Sequence, residues 1–168
     1  MAGVVIGAAG LQGNLGALDI ELLFELRDAA YSHNSVDLAY VSLRAQDLPG
    51  MFGEWEMDAR AQRIVWEDRE FQDVQFTGSM NQRRGRASLD VVRDESEQYS
   101  VAGEFALDSV GGEIRVADVR AVLDETTWAL SFPAMLTWDA QSFTVDRLNV
   151  HPEGDESMWL TVEGSLPG

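Results

Sequence analysis

The sequence predicts a mainly β protein: a curved antiparallel sheet of short strands, an open groove or taco-like trough, with one amphipathic helix near the amino terminus. Three observations carry this expectation. Apolar and charged residues alternate with period two through most of the chain beyond Pro49 and Gly50. The alternating segments recur roughly every 10 to 15 residues between Gly-, Asp- or Ser-containing breaks, the mark of a meander of antiparallel strands. Only Leu18 to Tyr31 reads with a helical spacing.

The helix is expected from Ile20, Leu23, Phe24 and Leu26, with Glu21, Glu25 and Arg27 between them and Asp19 placed to cap the amino-terminal end. The strands then follow in order. Met57, Ala59 and Ala61 alternate with Asp58 and Arg60; Ala87, Leu89 and Val91 alternate with Ser88 and Asp90. Val101, Phe105 and Leu107 continue the pattern, then Ile114 and Val116, Leu130 and Phe132, and Met158, Leu160 and Val162. Roughly eight to ten strands result by this criterion. Apolar parity slips by one residue between Ala61 and Ile64 and again between Val145 and Leu148, where bulges that bend the sheet are expected.

At 168 residues and 45% hydrophobic content, the chain suits one domain burying roughly 70% of its unfolded surface. The reading is a single β-rich unit over 1–168, with a Gly-rich opening plus helix in 1–50 and antiparallel strands in 51–168. Acidic residues number 29 against 12 basic ones, all of them Arg, for a net charge of -17. Backbone phosphates need a basic face, so nucleic acid is excluded as a partner. Cysteine is absent, which removes disulfides, thiolate metal sites and a Cys nucleophile. The apolar run Met1 to Leu11 lacks a basic flank and is far short of the roughly 20 residues that span a bilayer, so the chain as given reads as soluble with no transmembrane segment.

Candidate chemistry is sparse. VVIGAAGLQG places Gly7, Gly10 and Gly13 at a G-x-x-G-x-x-G spacing before the expected helix, the arrangement of a strand, tight turn and helix that cradles a pyrophosphate. The rest of the chain does not alternate strands with helices as a nucleotide-binding sheet requires, and no Lys exists for a Tyr-x-x-x-Lys pair. His33 and His151 lack any ligand spacing and read as loop histidines. Asp94, Glu95 and Glu97, and Glu153, Asp155 and Glu156, read as solvated hairpin tips that lack a calcium-loop frame. Trp55, Trp66, Trp128, Trp138 and Trp159 could offer stacking faces to sugar in a carbohydrate-binding sandwich, or pack a core or groove. Arg83, Arg84 and Arg86 form a basic cluster in the turn NQRRGR, suited to anionic head groups or a partner's acidic patch. No catalytic residue, cofactor or metal is expected, and the chain reads as non-enzymatic.

The stretch TTWALSFPAMLTWDAQSFTVDRLNVHPEGDESMWLTVEGSLPG, Thr126 to Gly168, resembles a unit of the TamB and AsmA-like envelope family. Its W-x-L-x-x-P-A segment, apolar strand pair and terminal x-G-x-L lie at Trp128, Leu130, Pro133, Ala134, Phe143, Val145, Leu148, Leu160, Val162 and Gly164. Gly53 to Leu107 resembles the same style more diffusely. The resemblance implies a fragment of a much longer chain, anchored in the inner membrane and crossing the periplasm of a two-membrane bacterium. It implies phospholipid acyl chains or outer-membrane assembly proteins as partners, with neighbouring repeats of the same chain beside it.

Together these readings give a non-enzymatic unit whose apolar groove conducts lipid, lined by Val101, Phe105, Leu107, Ile114, Val116, Leu130, Phe132, Val145, Leu160 and Val162. The alternatives are a β-sandwich that binds carbohydrate or protein, with the same residues forming a closed core, and a nucleotide-binding enzyme fragment.

Overall fold

The computed structural model describes residues 2–14, 17–48, 53–155 and 157–167. Its elements are all strands: β1 (Ala2–Asn14), β2 (Ala17–Tyr31), β3 (Asn34–Leu48), β4 (Glu54–Trp66), β5 (Arg69–Asn81) and β6 (Arg84–Val92), then β7 (Glu97–Leu107), β8 (Gly112–Leu123), β9 (Thr126–Leu130), β10 (Ala134–Trp138), β11 (Ser142–Pro152) and β12 (Leu160–Pro167). Every pairing is antiparallel, and spatial order follows chain order from β1 to β12. β9 and β10 share one place: both pair with β8 on one side and β11 on the other, as the two halves of a strand broken at Ser131, Phe132 and Pro133. The sheet is therefore a meander eleven places wide.

The expected helix is not there. Leu18 to Tyr31 lies in β2, and 1–50 holds three strands rather than a Gly-rich opening plus helix. The reason is visible in the residues. Leu18, Ile20, Leu22, Phe24 and Leu26 alternate with Asp19, Glu21, Glu25 and Arg27; Leu23 alone breaks the period and imitates a helical stripe. Leu23 is 44% exposed on the opposite face, while Leu22, Phe24 and Leu26 are half-buried. The first strands are also not short: β2 and β3 run 15 residues each, beyond the usual 3 to 10.

Gly7, Gly10 and Gly13 lie inside β1, a continuous strand paired with β2 from Val4 to Asn14. No turn interrupts them and no helix follows, so the pyrophosphate cradle does not form. The sandwich alternative fails at the same level, since one sheet contains every described strand.

Both expected phase breaks fall on left-handed residues. Between Val145 and Leu148 the register against β12 shifts, and Arg147 has φ 35°. Between Ala61 and Ile64, Arg63 has φ 47°, although Gln62↔Asp73 and Ile64↔Phe71 keep one register on either side. The expected bulge is therefore present between Val145 and Leu148, where it turns the side chains over and bends the strand, and absent between Ala61 and Ile64, where the ladder runs on without a shift.

Candidate functional site: an apolar face eleven strands wide

Paired residues in an antiparallel sheet point to the same face, so the registers sort every side chain. One row runs Leu11, Ile20, Ala45, Trp55, Met80, Gly85, Phe105, Ile114, Leu136, Val145, Gly164, crossing the whole sheet without one charge. The adjacent row, one residue away on each strand, faces the other side: Gly10, Glu21, Arg44, Glu56, Ser79, Arg86, Glu104, Arg115, Met135, Asp146. Charges of opposite sign stand side by side there, and Arg44–Glu21 (3.1 Å) and Arg115–Glu104 (3.7 Å) are ion pairs. Period-two alternation on each strand, kept in phase across the sheet, makes one face apolar and the other charged.

The apolar face is not roofed by a second layer. Its buried hydrophobic residues are Ala45, Met80, Val116 and Ala134, and among the described residues no large side chain is completely buried. The accessible surface is 11557 Å². A globular chain of this mass exposes about 8,200 Å². The excess is what a sheet without a covering layer leaves in water.

Self-covering is strongest at the centre. Trp55 and Phe105 stack with ring centroids 6.2 Å apart and planes 18° from parallel. Met80 and Gly85 lie between them in the same row, and Met80 is only 7% exposed. Gly85 is required there, because a Cβ would collide with Phe105 Cζ and the Ser79 carbonyl. Trp138 covers Gly112 in the same manner, its Cζ2 2.6 Å from where a Cβ would stand.

The ten expected groove residues are distributed as follows. Val101, Phe105, Leu107, Ile114, Val116 and Val145 share the apolar face through their pairings with Val119, Gly85, Gly112, Leu136, Ala134 and Gly164. Leu130, Leu160 and Val162 join it across β11 through Val150 and Leu148, once the Arg147 irregularity has turned the parity. Phe132 does not belong to the ladder: it sits in the break between β9 and β10, so the expected Leu130–Phe132 alternation ends there. Pro133, which lacks an N–H for the ladder, accounts for the interruption. Val101 is 38% and Leu160 58% exposed, whereas Val116 is 7% exposed and offers little surface. Alternation in β1 to β3 would have added Leu22, Phe24, Leu26, Val41 and Leu43 to the set.

A hollow lies elsewhere. About 740 Å³ in volume, it is bordered chiefly by the charged rows, including Glu56, Arg84, Arg86, Glu104 and Arg115, and touches the apolar row at Trp55, Met80, Gly85 and Phe105. The apolar face is the more extensive feature.

The remaining candidates are accounted for by local structure. His33 sits in the β2–β3 turn. His151 lies in β11 rather than a loop, with Nδ1 3.0 Å from Ser131 Oγ, a contact between distant residues that no local spacing announces. Ser131 also donates to Asn149 Oδ1, and among the described residues no carboxylate orients the imidazole. The acidic clusters cap turns and form ion pairs. Asp94 accepts from Ser96, Asp155 from Ser157, and Glu153 pairs with Arg120 at 2.6 Å; Glu156 lies outside the described residues. The hydrogen bonds of Ser96 and Ser157 hold Asp94 and Asp155 below the usual carboxylate range. Among the described residues no group of three or more His, Asp or Glu is arranged to hold a metal ion, and no helix is long and apolar enough to cross a membrane. The tryptophans form no shared platform, with Trp66 and Trp159 exposed and Trp55 and Trp138 each lying on a glycine of the apolar face.

No family model matches this chain. Searches of curated proteins and of solved structures likewise return no match.

Proposed function

We propose that this chain is a unit of an envelope lipid conduit of the TamB and AsmA-like kind, binding phospholipid acyl chains on its apolar face without catalysis. The observation that carries the reading is the uncharged row from Leu11 to Gly164, eleven strands wide and covered by no second layer. An acyl chain asks only for continuous apolar contact, at roughly 25 cal/mol for each Å² taken from water. A face this long supplies such contact along the direction perpendicular to the strands. The charged face, with its ladder of paired carboxylates and guanidiniums, keeps the other side in water. In this reading the sheet curls around its cargo, the bulge at Arg147 helping to set the bend. Periplasmic placement in a two-membrane bacterium, and a part in outer-membrane protein assembly, come with the family resemblance in Thr126 to Gly168.

The experiment places a photoreactive benzophenone side chain at Val101 or at Leu89, both on the apolar face and partly exposed. Irradiation with phospholipid should give acyl adducts at both positions. The same group at Asp90, adjacent to Leu89 but on the charged face, should give none.

A further inference from the structure

The turn NQRRGR supplies three arginines, and acyl-chain binding on the apolar face uses none of them. Eight of the 12 arginines hold a carboxylate in an ion pair, as a chain with 29 acidic residues makes easy. Arg84 and Arg86 do not. Arg83 acts on the Asp108 carboxylate, but the side chains of Arg84 and Arg86 make no ion pair or hydrogen bond among the described residues.

Arg84 and Arg86 stand two residues apart on the charged face of β6, about 6.7 Å along the strand. Both line the hollow of about 740 Å³. The registers place their neighbours. In one row Arg84 pairs with Ala106 and Ala106 with Glu113; in the adjacent row Glu56 pairs with Ser79 and Ser79 with Arg86. Each row therefore sets a guanidinium and a carboxylate two strands apart, about 9.6 Å, with only a small side chain between them. Glu56 and Glu113 make no ion pair or hydrogen bond among the described residues. The other carboxylates of the hollow are engaged, Glu104 with Arg115 at 3.7 Å and Glu54 with Asn81. Four arginines and four glutamates line the hollow, which is thus formally neutral in a chain of net charge -17.

A bare anion beside Arg84 and Arg86 would meet Glu104, and a bare cation would meet the arginines. A ligand carrying both signs a few ångströms apart meets neither objection. Phosphate suits the arginine pair, because the planar guanidinium fork matches its oxygens two at a time. The hydroxyl of Ser79, beside Arg86, offers a further donor. On the other side Ala106 leaves room for an ammonium group in front of Glu113. We infer that this hollow is a second binding site, for a zwitterionic phosphate ester, with the phosphate between Arg84 and Arg86 and the ammonium over Ala106 against Glu113. The site lies on the face opposite the uncharged row and does not rest on what the apolar face binds.

Isothermal titration calorimetry in phosphate-free buffer tests it, with soluble probes that have no acyl chain, so that a failure here leaves lipid binding by the apolar face untouched. Glycerophosphoethanolamine is the diester of a lipid head group and phosphoethanolamine the monoester of a free solute; the tighter binder names the source. Wild type should bind at least one of them about tenfold more tightly than glycerol phosphate or ethanolamine. Arg84→Gln/Arg86→Gln removes hydrogen bonds to a charged group and should weaken binding about tenfold or more. Glu113→Gln should lose the preference over glycerol phosphate while still binding glycerol phosphate, which a misfolded variant would not do. Arg60→Gln, on the same face outside the hollow, should bind as wild type. A wild type that binds none of the probes, equal affinity for glycerol phosphate and both ammonium esters, or an arginine double variant that binds as wild type overturns the inference.

Discussion

Trp55 on β4 and Phe105 on β7 stack across two intervening strands, their rings 6.2 Å apart above Met80 and Gly85. A sheet without a second layer has no other side chains to bury its aromatics, so they lie along the sheet and cover its glycines. Phe105→Ala removes the ring, the stacking and the cover over Gly85. Because Phe105 is only half-buried, the expected loss is about 2 kcal/mol, below that of a fully buried Phe. Gly85→Val should cost at least as much, since its side chain needs the volume that Phe105 Cζ occupies. Urea unfolding of both variants checks this; wild-type midpoints would show that the stack contributes nothing.

Leu22 and Leu23 separate the strand from the helix that Leu18 to Tyr31 first suggests. Leu22 pairs with Leu43 and Ala9 on the apolar face; Leu23 pairs with Ser42 on the other. Leu22→Asp places a carboxylate among apolar neighbours and should lower the thermal midpoint clearly, while Leu23→Asp should leave it nearly unchanged. Equal losses in the two variants would argue against this register.

A net charge of -17 makes long-range repulsion a standing load on the fold. Against it stand eight ion pairs among the described residues, none of them buried, and surface pairs contribute little each. Salt weakens both, but the repulsion is the larger sum. Raising NaCl from about 0.05 to about 0.5 M should therefore raise the thermal midpoint, as the Debye length shrinks several-fold. A falling midpoint would mean that the ion pairs dominate.

Acid should act through the loops. Asp108 accepts from the N–H of Val110 and Gly111 at 2.8 and 2.7 Å, and Asp139 from those of Gln141 and Ser142 at 2.7 and 2.8 Å. These backbone bonds favour the ionised form and hold both groups below their ordinary value of 3.8. The unfolded chain thus binds the proton more tightly. The stabilisation is complete above the ordinary value and is lost as pH falls through the lower folded values. Wild type should exceed the Asp108→Asn/Asp139→Asn variant in stability at about pH 5, and the gap should close in strong acid. Circular dichroism across the titration reads this, and a gap independent of pH would contradict it.

How far the sequence carries depends on the element. From Met57 to Val162 the alternation was legible, because charges fall on alternate residues and mark the exposed face; the slip between Val145 and Leu148 even located a bulge. In Leu18 to Tyr31 one extra leucine, Leu23, was enough to hide the strand. In β1 no charges mark a face at all, and three evenly spaced glycines imitate a phosphate loop. The break at Ser131, Phe132 and Pro133 was missed because Phe132 kept the period; Pro133 was the available signal. Phe105 was expected on the groove face, but its stacking with Trp55 depends on residues 50 positions apart being brought into one row. The openness of the sheet was beyond local pattern, since the same alternation serves a sandwich, a barrel and an open sheet.

The most direct test of the account is the comparison of adjacent residues on β6. A benzophenone at Leu89, irradiated with phospholipid, should form acyl adducts, and one at Asp90 should form none, because the two side chains lie on opposite faces of the sheet. Equal labelling at both positions, or none at Leu89 and Val101, would contradict lipid binding by the apolar face.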